Sequence, residues 1–121
     1  MFLKYTYLQE IDVNDWRKHT IYRGEYALLG ETHPVMQMFW QVLAELTPED
    51  RAKFLQFATG TSRVPVQGFS ALQGNDGNVK QFTIESVTLE QSVFPRAHTC
   101  FNRVDLPLYK TKDDMISKCL I

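Results

Sequence analysis

Between Thr32 and Gly60 the chain is punctuated as two helices placed end to end, and that pair limits what the remainder can build. Thr32 can cap the first helix, and Pro34 suits its opening turn, where a missing N–H costs nothing. Val35, Met38, Phe39, Val42, Leu43 and Leu46 then recur at helical spacing. Trp40 lies off that stripe and reads as a surface or interface residue. Thr47-Pro48-Glu49-Asp50 starts the second helix. Thr47 can accept a backbone hydrogen bond, Pro48 fits the first position, and the two carboxylates suit the positive end of the helix dipole. Ala52, Leu55 and Ala58 share a face with Phe54 beside it, and Gly60 supplies the stop. Each helix carries an apolar face that needs a partner surface.

The flanking sequence offers that surface as short strands. Val64, Val66 and Phe69 flank Pro65 and Gly68 in an irregular apolar run, and Asn75-Asp76-Gly77 offers a tight turn. Phe82 and Ile84 alternate with Thr83 and Glu85 in the manner of a half-buried strand. Upstream, Asp12 to Lys18 reads as a short helix with Val13 and Trp16 on one face, and Arg23 to Glu31, with two glycines, reads as a loop. Downstream, Thr111 can cap a last helix with Asp113 and Asp114 in its first turn. Met115, Ile116, Cys119 and Leu120 are at compatible spacing, so Cys119 reads as core. The pattern predicts one α+β domain, with helices around a small, mostly antiparallel sheet. A length of 121 residues with 44% hydrophobic content is enough for one real core and no second.

Composition narrows the partners. A net charge of -1 and no block of like charge give no electrostatic reason to expect nucleic acid, so the expected partner is protein. The opening MFLKYTYLQE is interrupted by Lys4 and Glu10, is too short to span a bilayer and lacks a cleavage signal, so no membrane insertion is expected. The two cysteines match neither a secreted disulfide framework nor metal-ligand spacing. A reducing compartment, the cytoplasm or the nucleus, is expected, with no metal and no cofactor.

The chemistry concentrates in VFPRAHTCFNRVDLPLY, Val93 to Tyr109, which lacks helical periodicity. Pro95 and Pro107 favour bends, placing Cys100 on a loop at the end of a sheet. Arg96, His98 and Arg103 bring positive charge that favours a nucleophilic thiolate. The competing reading is a small buried hydrophobe, the commoner fate of a lone cysteine. His98 can share a face with Cys100 in an extended segment, although a structural histidine fits that position equally.

HTCFNRVDLPLY resembles the active-site loop of the HECT family of ubiquitin ligases, and FLQFATGTSRVPVQGF, Phe54 to Phe69, resembles that family's second signature. IDVNDWRKHT and FWQVLAELTPEDRAKFL follow its pattern in the same order. The resemblance runs from about Ile11 to Leu120 and is to the smaller, C-terminal lobe. It implies that residues 11–121 form that lobe and that residues 1–10 are the end of a preceding lobe, a hinge or a lead-in foreign to it. The family's hinge usually carries glycine, whereas this chain has none before Gly24. The family also continues past the last helix into a tail, before which this sequence stops. By resemblance Cys100 is the nucleophile that accepts ubiquitin as a glycyl thioester and passes it to a substrate lysine. His98, Thr99, Phe101 and Asn102 shape the loop and position ubiquitin's tail. The implied partners are ubiquitin, a conjugating enzyme recruited through a larger N-terminal lobe, and a protein substrate. Two alternatives stay open. One is a non-catalytic ubiquitin-binding or regulatory fragment. The other is a cysteine hydrolase pairing His98 with Cys100, for which the sequence displays no third, orienting group.

Overall fold

The computed structural model describes residues 11–74 and 76–119. The opening segment, Asn75 of the expected turn and Leu120 of the expected last helix lie outside the described residues.

Helix α1, Val13–Lys18, is set by Asp12, whose carboxylate accepts from the N–H groups of Asn14 (2.9 Å) and Asp15 (3.2 Å). It carries Trp16 into the centre of the core, fully buried. The residue just before it, Asp15, reaches across to the irregular run and accepts from Phe69 N at 2.9 Å. Gly68 makes this approach feasible. Its φ is +94°, and a Cβ there would lie 2.6 Å from the Asp15 carboxylate.

Helices α2, Pro34–Glu45, and α3, Pro48–Thr59, occupy the expected spans. Thr47 Oγ1 accepts from Asp50 N (3.1 Å), and Gly60, at φ +82°, closes α3 with its N–H donating to Gln56 O (2.8 Å). The joint between them is sealed by Arg51. Its guanidinium donates to the carbonyls of Leu43, Ala44 and Leu46 at 3.0, 3.0 and 2.9 Å, satisfying the orphan acceptors at the end of α2. Three details of α2 depart from expectation. The cap is His33, whose Nδ1 accepts from Val35 N (3.1 Å), while Thr32 turns back to Leu29 O (2.6 Å). Met36, not Met38, is fully buried, and Met38 packs at the margin. Trp40 is a core residue, only 4% exposed: α1 crosses α2 at this point, so the face that was read as outward is covered by Trp16, 6.0 Å away edge-on. Its indole N–H donates to Tyr22 Oη at 2.9 Å.

Among the described residues the sheet has four strands, β1 (Ile21–Arg23), β2 (Thr83–Val87), β3 (Arg96–His98) and β4 (Arg103–Pro107), in the order β1-β2-β4-β3. The α+β class holds, but the sense of the sheet corrects the expectation. β1 with β2 and β2 with β4 are parallel, and β3 with β4 alone is antiparallel. Parallel neighbours need a connection long enough to return the chain to the same end. The α2–α3 pair provides it between β1 and β2, and β3 with its approach provides it between β2 and β4. The expected loop from Arg23 to Glu31 contains two 3-10 turns, Gly24–Tyr26 and Gly30–Thr32, and its first residue is the end of β1. The inner face of the sheet presents Ile84, Val104 and Leu106, all fully buried, to the helices.

Helix α4, Lys112–Cys119, is capped by Thr111 Oγ1, which accepts from Asp114 N at 3.1 Å. Lys112 pairs with Glu45 of α2 at 2.8 Å. No helix among the described residues is long and apolar enough to cross a membrane.

Candidate active site: the turn between β3 and β4

β3 delivers the chain to one end of the sheet, Thr99–Phe101 form a single 3-10 turn, and β4 leads back into the sheet's centre. Cys100 sits in the middle of this turn and is exposed. Phe101 beside it is 58% exposed, an aromatic left at the surface next to a thiol. Pro95 lies just before β3 and Pro107 is the last residue of β4. The two prolines therefore bracket the hairpin, as the spacing suggested.

The turn is held from below by Asn102. Its backbone is left-handed (φ 52°, ψ 40°), a conformation that asparagine tolerates better than most side chains, and it is 1% exposed. Its Nδ2 donates to two carbonyls, Gln73 O (3.0 Å) and Lys80 O (2.8 Å), while its own carbonyl accepts from Thr83 N (3.0 Å). One side chain thus ties the cysteine turn to the loop spanning 73–80. That loop is itself a tight turn. Gly74 N donates to Asn78 O (2.9 Å), Gly77 has φ +81°, and Asp76 pairs with Lys80 at 2.7 Å. The Lys80 ammonium, with the amide groups of Asn78, pulls the Asp76 carboxyl down to about 2. Gly74 lies against the turn so closely that a Cβ would be 3.1 Å from Cys100 O and 2.6 Å from Lys80 Cδ.

Thr99 faces the other way, packing at the end of α3, where a Cβ on Gly60 would meet its Cβ at 3.7 Å. Beside it opens a groove of about 540 Å³ lined by Thr61, Arg63, Gln73 and Val79 among others. It runs from the segment after α3 to the cysteine turn.

His98 ends β3 with its Nε2 2.8 Å from Asp105 Oδ2 on β4. The strand register explains the meeting. One row across the sheet reads Arg23, Glu85, Asp105, Arg96, and the next sets Arg103 opposite His98. Arg103 bridges the rows, with Nε 3.4 Å from Asp105 Oδ1 and Nη1 3.7 Å from Glu85 Oε1, while Arg23 reaches Glu85 at 3.6 Å. Arg103 Nε and Asp105 Oδ1 are both buried and neither makes a hydrogen bond among the described residues. They face one another, so charge attraction stands in for an aligned bond.

All five residues picked out from sequence therefore lie on one turn and its immediate supports. Cys100 and Phe101 are at the surface, Thr99 at the groove, Asn102 beneath, and His98 is drawn toward Asp105. Sequence reasoning did not single out Asp105, Glu85 or Gly74. The i, i+2 pair Arg103 and Asp105 was a visible signal, since alternate strand residues share a face, but its use required knowing that β3 lies opposite.

Cys119 differs in every respect. It packs at the core margin near Tyr109, whose hydroxyl donates to Val93 O (2.7 Å), and burial pushes its thiol up to about 11. At pH 8 its thiolate fraction is then on the order of a hundredfold below that of an ordinary thiol. Iodoacetamide is expected to label Cys100 first under native conditions, with Cys119 catching up only in denaturant. Peptide mapping that found equal native rates would contradict this contrast.

A family profile described as HECT-domain (ubiquitin-transferase) matches residues 5–121. The chain is 51% identical over 111 residues to the E3 ubiquitin-protein ligase RSP5 of Saccharomyces cerevisiae, a match that covers 92% of this chain and 13% of that protein. It is 50% identical to the E3 ubiquitin-protein ligase pub3 of Schizosaccharomyces pombe, again over 92% of this chain and 13% of the relative. It is 48% identical to the E3 ubiquitin-protein ligase hecw-1 of Caenorhabditis elegans, over 90% of this chain and 8% of the relative. This chain thus spans about an eighth or less of the length of these relatives, and with the family profile matching nearly all of it, the chain belongs to the HECT-domain (ubiquitin-transferase) family.

Proposed function

We propose that the chain is the catalytic C-terminal lobe of a HECT-type ubiquitin ligase, with Cys100 accepting ubiquitin and passing it to a lysine. The observation that carries this reading is the exposed thiol on a turn anchored from two sides, by Asn102 below and by the end of α3 beside Thr99. An exposed nucleophile on a rigid support is what acyl transfer needs, since misplacement of the attacking atom is costly.

In the first step the Cys100 thiolate attacks the carbonyl of the thioester that joins ubiquitin's C-terminal glycine to a conjugating enzyme. The new C–S bond forms, the old one breaks, and the enzyme's thiolate departs with the electron pair. The exchange is nearly balanced in energy because one thioester replaces another. The groove beside Thr99 is assigned to the extended tail of ubiquitin, and Phe101, exposed beside the thiol, to an apolar contact at the reacting end. In the second step a substrate amine displaces Sγ and an amide is formed. Residues 11–121 are assigned to this lobe and residues 1–10 to the lead-in from a preceding lobe. That preceding lobe would recruit the conjugating enzyme. The setting is the cytoplasm or nucleus, where a thiol of this kind stays reduced.

The test supplies ubiquitin as its mercaptoethanesulfonate thioester and maps the adduct by mass spectrometry. A thiol-labile adduct on Cys100 that persists in Cys119→Ala and vanishes in Cys100→Ala is expected. Ubiquitin bound only non-covalently, equally well by Cys100→Ala, would instead make the chain a binding fragment. Release of free ubiquitin with no adduct on Cys100 would make it a hydrolase.

A further inference from the structure

The His98 imidazole is held by a group that the sequence did not advertise. Asp105 Oδ2 lies 2.8 Å from Nε2, and the Asp105 side chain is only 14% exposed, fixed from its other oxygen by Arg103 at 3.4 Å. A carboxylate only accepts, so Nε2 carries the hydrogen and, in the neutral ring, Nδ1 is left with the lone pair. We infer that Asp105 is a positioning residue for the second step, orienting His98 so that Nδ1 takes the proton from the attacking lysine. The inference rests on Cys100 being the acyl carrier.

The lysine ammonium gives one proton to His98 Nδ1, and the neutral nitrogen so formed attacks the ubiquitin glycyl carbon. The C–N bond forms, the C–S bond breaks with its electron pair going to Cys100 Sγ, and the second proton on nitrogen passes to the departing thiolate or to solvent. Thioester exchange, the first step, involves no amine proton and makes no use of this device. The same carboxylate has a second effect. Arg96 stands across from it in the register and Arg103 lies two residues before it on β4, and Asp105 offsets their charge where a cationic lysine must approach.

Asp105 supplies the third, orienting group that acid–base sites commonly have. Its neighbours Glu85 and Arg23 extend the chain of charges to the far edge of the sheet and hold Arg103 in place. The pairs are partly exposed, so their worth lies in orientation rather than stability.

The experiment charges the wild type, Asp105→Asn and Asp105→Glu with the mercaptoethanesulfonate thioester of ubiquitin. It then follows discharge of each thioester to free lysine and, separately, to hydroxylamine, a nucleophile already unprotonated at neutral pH. Asp105→Asn is expected to slow discharge to lysine by about tenfold or more, while charging and discharge to hydroxylamine stay within about twofold. Asp105→Glu, which keeps the charge on a longer arm, should recover part of the loss. Because both nucleophiles act on the same thioester, damage to the fold would slow both, and an equal effect on the two overturns the proposal. So does an unchanged rate with lysine. Should Asp105→Asn fail to charge through misfolding, Asp105→Glu reads the same ratio, with a smaller selective loss for lysine expected and an unaltered ratio overturning the proposal. Failure of the wild type to charge at Cys100 is a separate result, which removes the acyl carrier and this proposal with it.

Discussion

Replacing Asn102 with alanine is expected to cost the domain about 3 kcal/mol and to slow ubiquitin loading at Cys100 at the same time. Its amide donates to Gln73 O and Lys80 O in a site that is 1% exposed, so truncation leaves two carbonyls without a donor. Each such loss is worth roughly 1 kcal/mol or more. The left-handed backbone adds about 1 kcal/mol, because alanine lacks the local hydrogen bonding that eases asparagine into that region. Asn102→Gly separates the two contributions. It loses the same hydrogen bonds but meets no steric penalty at φ 52°, and should be about 1 kcal/mol less damaging than alanine. Urea unfolding at constant m value measures both, and a midpoint for Asn102→Ala equal to the wild type would show that the amide does not hold the turn.

Trp16→Ala should be the most destabilising single change in the core, about 3–5 kcal/mol, a large part of the stability of a domain this size. The indole is fully buried, stacked on Phe69 at 5.0 Å and 9°, with Phe82 edge-on at 5.2 Å. It joins α1, α2, the irregular run and the start of β2, so its loss opens a cavity that no one element can close. Trp16→Phe should cost less than half as much. It keeps an aromatic face for Phe69, and the N–H it removes has no hydrogen-bond partner among the described residues. Calorimetry decides the matter, and equal losses for the two variants would mean that ring size, not the cavity, governs the site.

The helices were legible because their signals are local. Thr47 before Pro48, Gly60 after the last apolar residue, and Thr111 three residues before Asp114 each act within one turn, and each does what its chemistry suggests. The cysteine turn was legible for the same reason, being bracketed by prolines close in sequence. The sheet was not, because direction depends on which distant strand lies alongside. Nothing in TIESV or RVDLP says that they run the same way. Trp40 was misjudged on similar grounds: helical spacing identifies the face toward one partner, and a second helix, α1, crosses on the other. His33 displaced Thr32 as cap because a 3-10 turn ends just ahead of α2 and sets the imidazole, not the hydroxyl, beside Val35 N.

The strand order has a consequence for how the thiol comes into being. β4 sits between β2 and β3 yet follows both in the chain, so the sheet receives its middle only after its other described strands have been made. Until then β2 has only the three residues of β1 as a neighbour, and β3 has none within the sheet. Pairings this distant in sequence form slowly and together rather than piecemeal. A nascent chain halted short of Pro107 would hold Cys100 on a loose strand, without the turn or its asparagine strut. The turn that carries Cys100 therefore forms in a single event, when the closing strand drops into place.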